Sequence, residues 1–243
     1  MIGGINMKKR LLVILLLQSI LFCSCHPSLA SSYSYMIKDA TATIISHEEQ
    51  LDEKHIEVPQ KLGGYTVTAL GPRSFYQHKA LRSITLPDTL ETVEGAPFYR
   101  CYSLEKLHLP DSISKIECNP VFRCSALSEI TVSPNNSFYT TNDGVLYNKE
   151  KTQMIAYPEG KTQRIYTVPR SVKKLNIDSF GYHPKVKHIV IYSNVNQFPD
   201  GNMFVFPDEI TLYVEAGSLG EKYAKMYGLN YKVITQPEEI SIS

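Results

Sequence analysis

The sequence has no tryptophan, only five cysteines in 243 residues and no excess of either charge, with 25 Lys and Arg against 24 Asp and Glu. It holds no G-x-S-x-G, no H-E-x-x-H and no glycine-rich phosphate loop, and its Asp, His and Ser residues are scattered through turns. No nucleophile or metallohydrolase is marked, so the expectation is a protein without catalysis and without a cofactor. The absence of a basic patch argues against nucleic acid as a partner. No apolar run reaches the roughly 20 residues that cross a bilayer, which argues against a transmembrane span.

What is present starts with a leader. Lys8, Lys9 and Arg10 precede an apolar run, residues 11–22, whose only polar members are Gln18 and Ser19. A basic stretch, about a dozen apolar residues and then small residues read as a secretory signal peptide. Two cleavage sites compete. Ser28-Leu29-Ala30 suits a general signal peptidase and would leave Ser31 as the start of a secreted or periplasmic chain. Phe22-Cys23-Ser24-Cys25 resembles a bacterial lipobox, with Phe22 where Leu is usual. On that reading residues 1–25 are the signal peptide, Cys25 is lipidated and residues 26–36 are a tether. The membrane is then touched only through the lipid, at the outer membrane or cell surface. From His26 onward, 22 basic residues face 24 acidic ones, a net charge of about −2.

The body of the chain repeats itself. Leu81, Ile84, Leu86, Pro87, Leu90, Val93, Phe98 and Cys101 return 23 positions later as Leu104, Leu107, Leu109, Pro110, Ile113, Ile116, Val121 and Cys124. In L-x-x-I-x-L the last two apolar positions alternate, as in a strand with one buried face. Proline then ends the strand, because it donates nothing to a ladder, and Pro-Asp starts a turn. Leu90 and Val93 re-enter the core and Phe98 fills it. One such coil buries little by itself, and stacking makes the apolar column continuous. A fixed period of 20–29 residues headed by this pattern marks leucine-rich repeats. The register breaks after Val132 and resumes at Val168, giving about five coils in all. Between them Asn142-Asp143-Gly144 signals a hairpin turn, with strands expected at Val145-Leu146-Tyr147 and from Met154 to Tyr157. Residues 134–166 are therefore read as an inserted antiparallel excursion. Whether it replaces a coil is left open.

Solenoid ends expose core and strand edges, so atypical terminal units are expected. At the start, residues 41–45 and 55–58 can pair as a β-hairpin. At the end, in residues 212–234, Ser218-Leu219-Gly220-Glu221 is a capping box, Gly228 is placed to end a short helix, and residues 231–234 form a last strand. Residues 235–243 are a tail.

These residues resemble the BspA-type leucine-rich repeat family of bacterial surface proteins. The resemblance rests on the L-x-x-I-x-L-P-D-[ST]-[LI] head, the Phe-x-x-Cys-x-x-Leu junction at 98–104, and the stretches at 63–70, 142–149 and 214–223. It implies a mostly β fold with short irregular or helical turns: a single right-handed leucine-rich repeat solenoid over residues 37–234. It implies export to the bacterial surface and adhesion to an extracellular macromolecule, whether a host matrix protein, a bacterial surface protein or a glycan. The other class of function is a structural or envelope-assembly lipoprotein with no host ligand. A monomer is expected.

Several constellations invite chemistry. His78, Cys101, Cys124 and His183 look like a zinc set, but the first three hold one repeat position in successive coils. Adjacent strands lie about 4.8 Å apart, so three span about 10 Å in a column and do not meet at one ion. The preferred reading is a buried ladder. Laddered thiols point in parallel, so free Cys101 and Cys124 are favoured over a disulfide. Asp88-Thr89-Leu90 and Asp111-Ser112-Ile113 resemble bacterial O-glycosylation acceptors, and the plainer reading is the Pro-Asp turn. The sixteen tyrosines suit either a contact surface or a laddered core. The remaining candidate is a flat, mixed-charge strip: Arg82 and Thr85 over Glu105, Lys106 and His108, and these over Glu129 and Thr131.

Overall fold

The computed structural model describes residues 32–48, 52–182 and 184–235. The leader, Cys25 and His183 lie outside them. The first half carries β1 (Tyr33–Lys38), β2 (Thr41–His47), β3 (His55–Glu57), β4 (Lys61–Leu62), β5 (Tyr65–Leu70), β6 (Ser83–Thr85), β7 (Thr92–Val93), β8 (Lys106–Leu109), β9 (Lys115–Ile116) and β10 (Glu129–Val132). The insert supplies β11 (Tyr139–Asn142), β12 (Val145–Asn148) and β13 (Gln153–Ala156). Then follow β14 (Ile165–Thr167), β15 (Lys174–Leu175), β16 (His188–Ile191), β17 (Thr211–Glu215), helix α1 (Leu219–Met226) and β18 (Asn230–Ile234).

The 23-residue period becomes a parallel register. Lys106 pairs with Glu129, His188 with Thr211, and Thr92 with Lys115, each 23 apart. The front of the solenoid is β3, β6, β8 and β10, then β14, β16, β17 and β18. The back is β2, β5, β7 and β9, then β13 and β15. Eight front strands make about eight turns, a correction to the five counted from the repeat. The extra turns depart from the period. His55 pairs with Ser83, further along the chain than one repeat, because the β4–β5 hairpin lengthens that turn. Thr211 pairs with Asn230, short of one repeat.

The start also differs from expectation. The terminal hairpin is β1 with β2, and the His55 strand joins the front ladder instead of pairing with residues 41–45. β1 begins at Tyr33, inside the expected tether. At the other end the Ser218 Oγ accepts the Glu221 N–H at 3.2 Å, and Gly228 follows the helix at φ 61°.

Repeat hydroxyls stitch one coil to the next. Thr89 Oγ1 donates to the Val67 carbonyl and Ser112 Oγ to that of Leu90, each at 2.7 Å. These hydroxyls thus have a structural duty at the positions that resembled glycosylation acceptors. The cysteines behave likewise. Buried Cys101 donates its thiol to the Phe75 carbonyl at 3.0 Å and Cys124 to that of Phe98 at 3.1 Å, and neither forms a disulfide. Burial pushes the Cys124 thiol well up.

The insert is a three-stranded antiparallel meander that forms a wall inside the solenoid. Asp143 and Gly144 both have positive φ, 49° and 72°, the geometry of a two-residue hairpin turn. Both faces of β12 are buried, and strand alternation sends them opposite ways. Leu146 joins the core of the first four turns, whereas Val145 and Tyr147 join the core of the later turns. β13 divides similarly, with Ile155 and Ala156 on one side and Met154 on the other. Ile130 and Tyr166, inward residues of consecutive front strands, are therefore separated by well over one repeat.

The chain then returns past the wall at Gly160, whose N–H donates to the Leu127 carbonyl at 2.7 Å. A Cβ there would meet backbone atoms of Ala126 at 2.5 Å, so no other residue fits. Next to it the buried Glu159 carboxylate accepts the backbone N–H of Arg123 and of Tyr182, each at 2.7 Å, and so joins the turns on either side of the wall.

The N-terminal end holds a titratable pair. Buried His47 and His78 share a 2.9 Å hydrogen bond between Nδ1 and Nε2, and His47 lies against Tyr33 and Phe75. Burial, then the His78 ring, pulls the His47 pKa down from 6.5 to about 4. The folded state therefore holds His47 neutral where the unfolded chain binds a proton. Its contribution is complete above about pH 6.5 and is lost as pH falls towards about 4. The full loss is about 3 kcal/mol. Thermal melts from pH 7 to pH 4 should show this decline, and His47→Gln should flatten it. An equally steep decline in that variant would assign the effect to carboxylates.

Candidate functional site

The exposed strip grows out of the front ladder. In β6, β8 and β10 the inward residues Ile84, Leu107 and Ile130 are buried, so the alternate residues face solvent. Register pairs Lys106 with Glu129 and His108 with Thr131, and the Glu105 N–H donates to the Arg82 carbonyl at 3.0 Å, which sets Ser83 and Thr85 one turn before Lys106 and His108. The Arg82 and Glu105 side chains meet at 3.2 Å, Lys106 and Glu129 at 2.9 Å, and His108 Nδ1 and Thr131 Oγ1 at 2.9 Å. All seven residues singled out from the sequence lie on this one face. The early turn adds two that the repeat did not reveal: His55, whose Nδ1 is 2.8 Å from Ser83 Oγ, and exposed Glu57. Both had been assigned to a terminal hairpin.

The pairing has an energetic consequence. Each ion pair is largely solvated, with side chains 42–71% exposed, so each stabilises the fold by about 0–1 kcal/mol at most. The charges nearly cancel within the strip. What it offers a partner is a row of donors and acceptors at coil spacing rather than a strong field.

The strip ends against the wall in an open polar recess of about 290 Å³ lined by Lys106, Ser128, Glu129, Asp143, Gly144 and Lys161. Lys161 has its stem buried and its ammonium 2.7 Å from the Asp143 carbonyl and 3.3 Å from that residue's carboxylate. Gln163 Nε2 donates to the same carboxylate at 2.9 Å. Gln163 and then Lys161 hold Asp143 below the usual carboxylate range. The hairpin turn was legible in the sequence, but its placement beside Lys106 depends on the long return of the insert. Among the described residues, no three His, Cys, Asp or Glu side chains converge as metal ligands, and no helix is long and apolar enough to cross a membrane.

Stacked parallel strands with one buried and one exposed position per pair define a leucine-rich repeat solenoid. Residues 53–167 match the family model of the BspA type leucine rich repeat region in six copies, so this stretch is a BspA-type leucine-rich repeat region. Among solved structures it is similar to a leucine-rich repeat protein from Eubacterium ventriosum ATCC 27560, with 22% identity and a TM-score of 0.51, over 68% of this chain and 54% of that one. It thus spans about half the length of that protein. It is also similar to a leucine rich cell surface protein from Faecalibacterium prausnitzii A2-165, at 17% identity and a TM-score of 0.47, over 79% and 77% of the two chains. The leucine rich repeat protein of T. pallidum gives 13% identity and a TM-score of 0.49, over 85% and 98%. A search of curated proteins gives no match.

Proposed function

We propose that this is an exported, non-catalytic binding protein of the bacterial surface, which holds an extracellular protein or glycan through the front strip and the recess at its end. One observation carries the reading. Successive turns set exposed side chains side by side: His55 pairs with Ser83 and Lys106 with Glu129, and the Glu105 N–H to the Arg82 carbonyl joins the two ladders into one row across four turns. Single turns contribute two or three groups each, and the stack gathers them into a footprint of the size a macromolecule covers. A standard interface needs about 800 Å² per partner.

The test is capture from panels of purified matrix proteins and of bacterial envelope glycans. Lys106→Gln with His108→Gln should weaken capture of the bound panel member about tenfold, a cost of about 1.4 kcal/mol. The melting temperature should stay nearly unchanged, because both residues are exposed. Capture that survives this pair of changes but is lost on Asp143→Asn would move the site into the recess. Deleting residues 134–166 is not a usable control, since Leu146 and Tyr147 are core residues.

Anchoring belongs to the same proposal. Cys25 follows a basic and apolar leader and closes a lipobox-like Phe-Cys-Ser-Cys stretch. Cys25→Ala should release the protein from membranes and remove the mass of its acyl chains. A wild-type chain found to start at Ser31 by N-terminal sequencing would overturn the anchor and leave a secreted or periplasmic protein.

A further inference from the structure

A second exposed feature runs along the turn side, away from the front strip. In successive turns an inward ring is followed by an outward one: Phe75 and Phe98 are fully buried, while Tyr76 is exposed and Tyr99 half-buried. The outward rings stack. Centroids of Tyr76 and Tyr99 are 5.7 Å apart with planes 9° from parallel, and those of Tyr99 and Phe122 are 6.0 Å apart at 10°. The column then crosses the joint, with Phe122 to Tyr182 at 6.2 Å and Tyr182 to Phe206 at 5.4 Å. The front ladder breaks at the insert, and this column does not.

Three guanidinium groups gather on it. The central carbons of Arg73, Arg100 and Arg123 lie 5.0, 5.3 and 5.7 Å from the centroid of the single ring of Tyr99. Arg123 also sits 3.4 Å over Tyr182, and Arg100 donates from Nη1 to the Tyr76 hydroxyl at 3.1 Å. Ring faces hold these cations by cation–π attraction. Among the described residues none of the three has a carboxylate within 4.0 Å, whereas Arg82, Lys106 and Lys115 of the same turns all do. Three like charges around one ring repel one another, and a bound anion would relieve that. The backbone adds a second observation. Gln77, Arg100 and Arg123 hold one repeat position at φ 62°, 67° and 66°, a left-handed conformation that costs a non-glycine residue about 1–2 kcal/mol. Three successive turns share this value, so the repeat sets the backbone shape and starts the Arg100 and Arg123 side chains from the same place in each turn.

We propose that this column is a docking ridge for an acidic polysaccharide, whose sulfate or carboxylate groups are received by the arginine forks around Tyr99. Guanidinium groups bind such oxyanions through paired N–H donors, and the tyrosine rims and hydroxyls beside them suit sugar C–H and O–H groups. The form of the ridge selects a linear polymer. It is one ring wide, too narrow for the roughly 800 Å² a folded partner covers. Its three cations surround a single ring on a chain of net charge about −2 past the leader, too few for a nucleic acid, which calls for a wide basic surface. The ridge shares no residue with the front strip, and its test does not depend on what the strip binds.

Binding of dextran sulfate, polygalacturonate, neutral dextran and duplex DNA should be compared in physiological salt. The wild type should bind at least one of the two acidic glycans about tenfold or more tighter than neutral dextran and duplex DNA. Arg100→Gln with Arg123→Gln should weaken that binding about tenfold, the loss expected for charge-assisted hydrogen bonds. Glutamine already occupies the equivalent site at residue 77, so the fold should tolerate it, and a thermal melt checks this. Arg73→Gln, at an exposed residue, should weaken binding about threefold and serves if the double variant misfolds. Lys115→Gln, at an exposed lysine paired with Glu117 and outside both the ridge and the strip, should change nothing in this assay. Equal binding to neutral dextran, undiminished binding by the folded arginine variants, or DNA bound as tightly as the acidic glycans would each overturn the proposal.

Discussion

Glu159→Ala is expected to destabilise the protein by about 2–4 kcal/mol, whereas Glu159→Gln should cost clearly less. In the regular coils the N–H of Gln77 donates to the Tyr99 carbonyl at 3.0 Å, and that of Arg100 to the Phe122 carbonyl at 3.3 Å. At Arg123 the insert interrupts the stack, and the next coil presents no carbonyl there. The Glu159 carboxylate takes its place, accepting from Arg123 and from Tyr182 on the far side at 2.7 Å each. Alanine leaves two partly buried N–H groups without an acceptor, at about 1–3 kcal/mol each before any water enters. Glutamine keeps an acceptor oxygen in the same place. Urea unfolding midpoints of the two variants provide the measurement. Equal midpoints for Ala and Gln would mean that the joint is held by the Gly160 contact and apolar packing alone.

How much of this was visible in the sequence depends on the range of each signal. The L-x-x-I-x-L spacing is local and strict, so Leu107, Leu109 and Ile130 could be placed inward and Lys106, His108 and Glu129 outward. Asn142-Asp143-Gly144 and Ser218 with Glu221 are short-range turn and cap chemistry, and both fall where expected. The first hairpin was hidden because its turn is Asp39-Ala40, both at positive φ, with no glycine to mark it. The His55 strand was misassigned because its partner strand at Ser83 lies off the period. Glu159 reads as one more surface acid until the return past the wall buries it. The tyrosine column needed the stack itself: Tyr99 and Tyr182 are far apart in the chain, and only the insert's detour brings their turns together around Arg123.

Neighbouring residues on β8 should respond oppositely to alanine. Leu109 is fully buried within the first core block, and large-to-small changes at such sites cost about 2–5 kcal/mol through lost burial and the cavity left behind. The upper half of that range is expected here. β8 is an inner strand of the ladder, with β10 paired to it along its full length and β6 on the other side, so the stack has little freedom to collapse into the gap. His108, one residue earlier, is exposed, and its ring nitrogens face the hydroxyls of Thr131 at 2.9 Å and Ser133 at 3.3 Å, contacts that water replaces at little cost. His108→Ala should therefore stay within about 0.5 kcal/mol of wild type. Leu107→Ala should follow Leu109, because strand alternation returns that side chain to the same core. Chemical denaturation of the three variants measures this directly. A His108 cost equal to that of Leu109 would mean that the strip is a packed surface, and binding through it would then have to be argued from residues free to move.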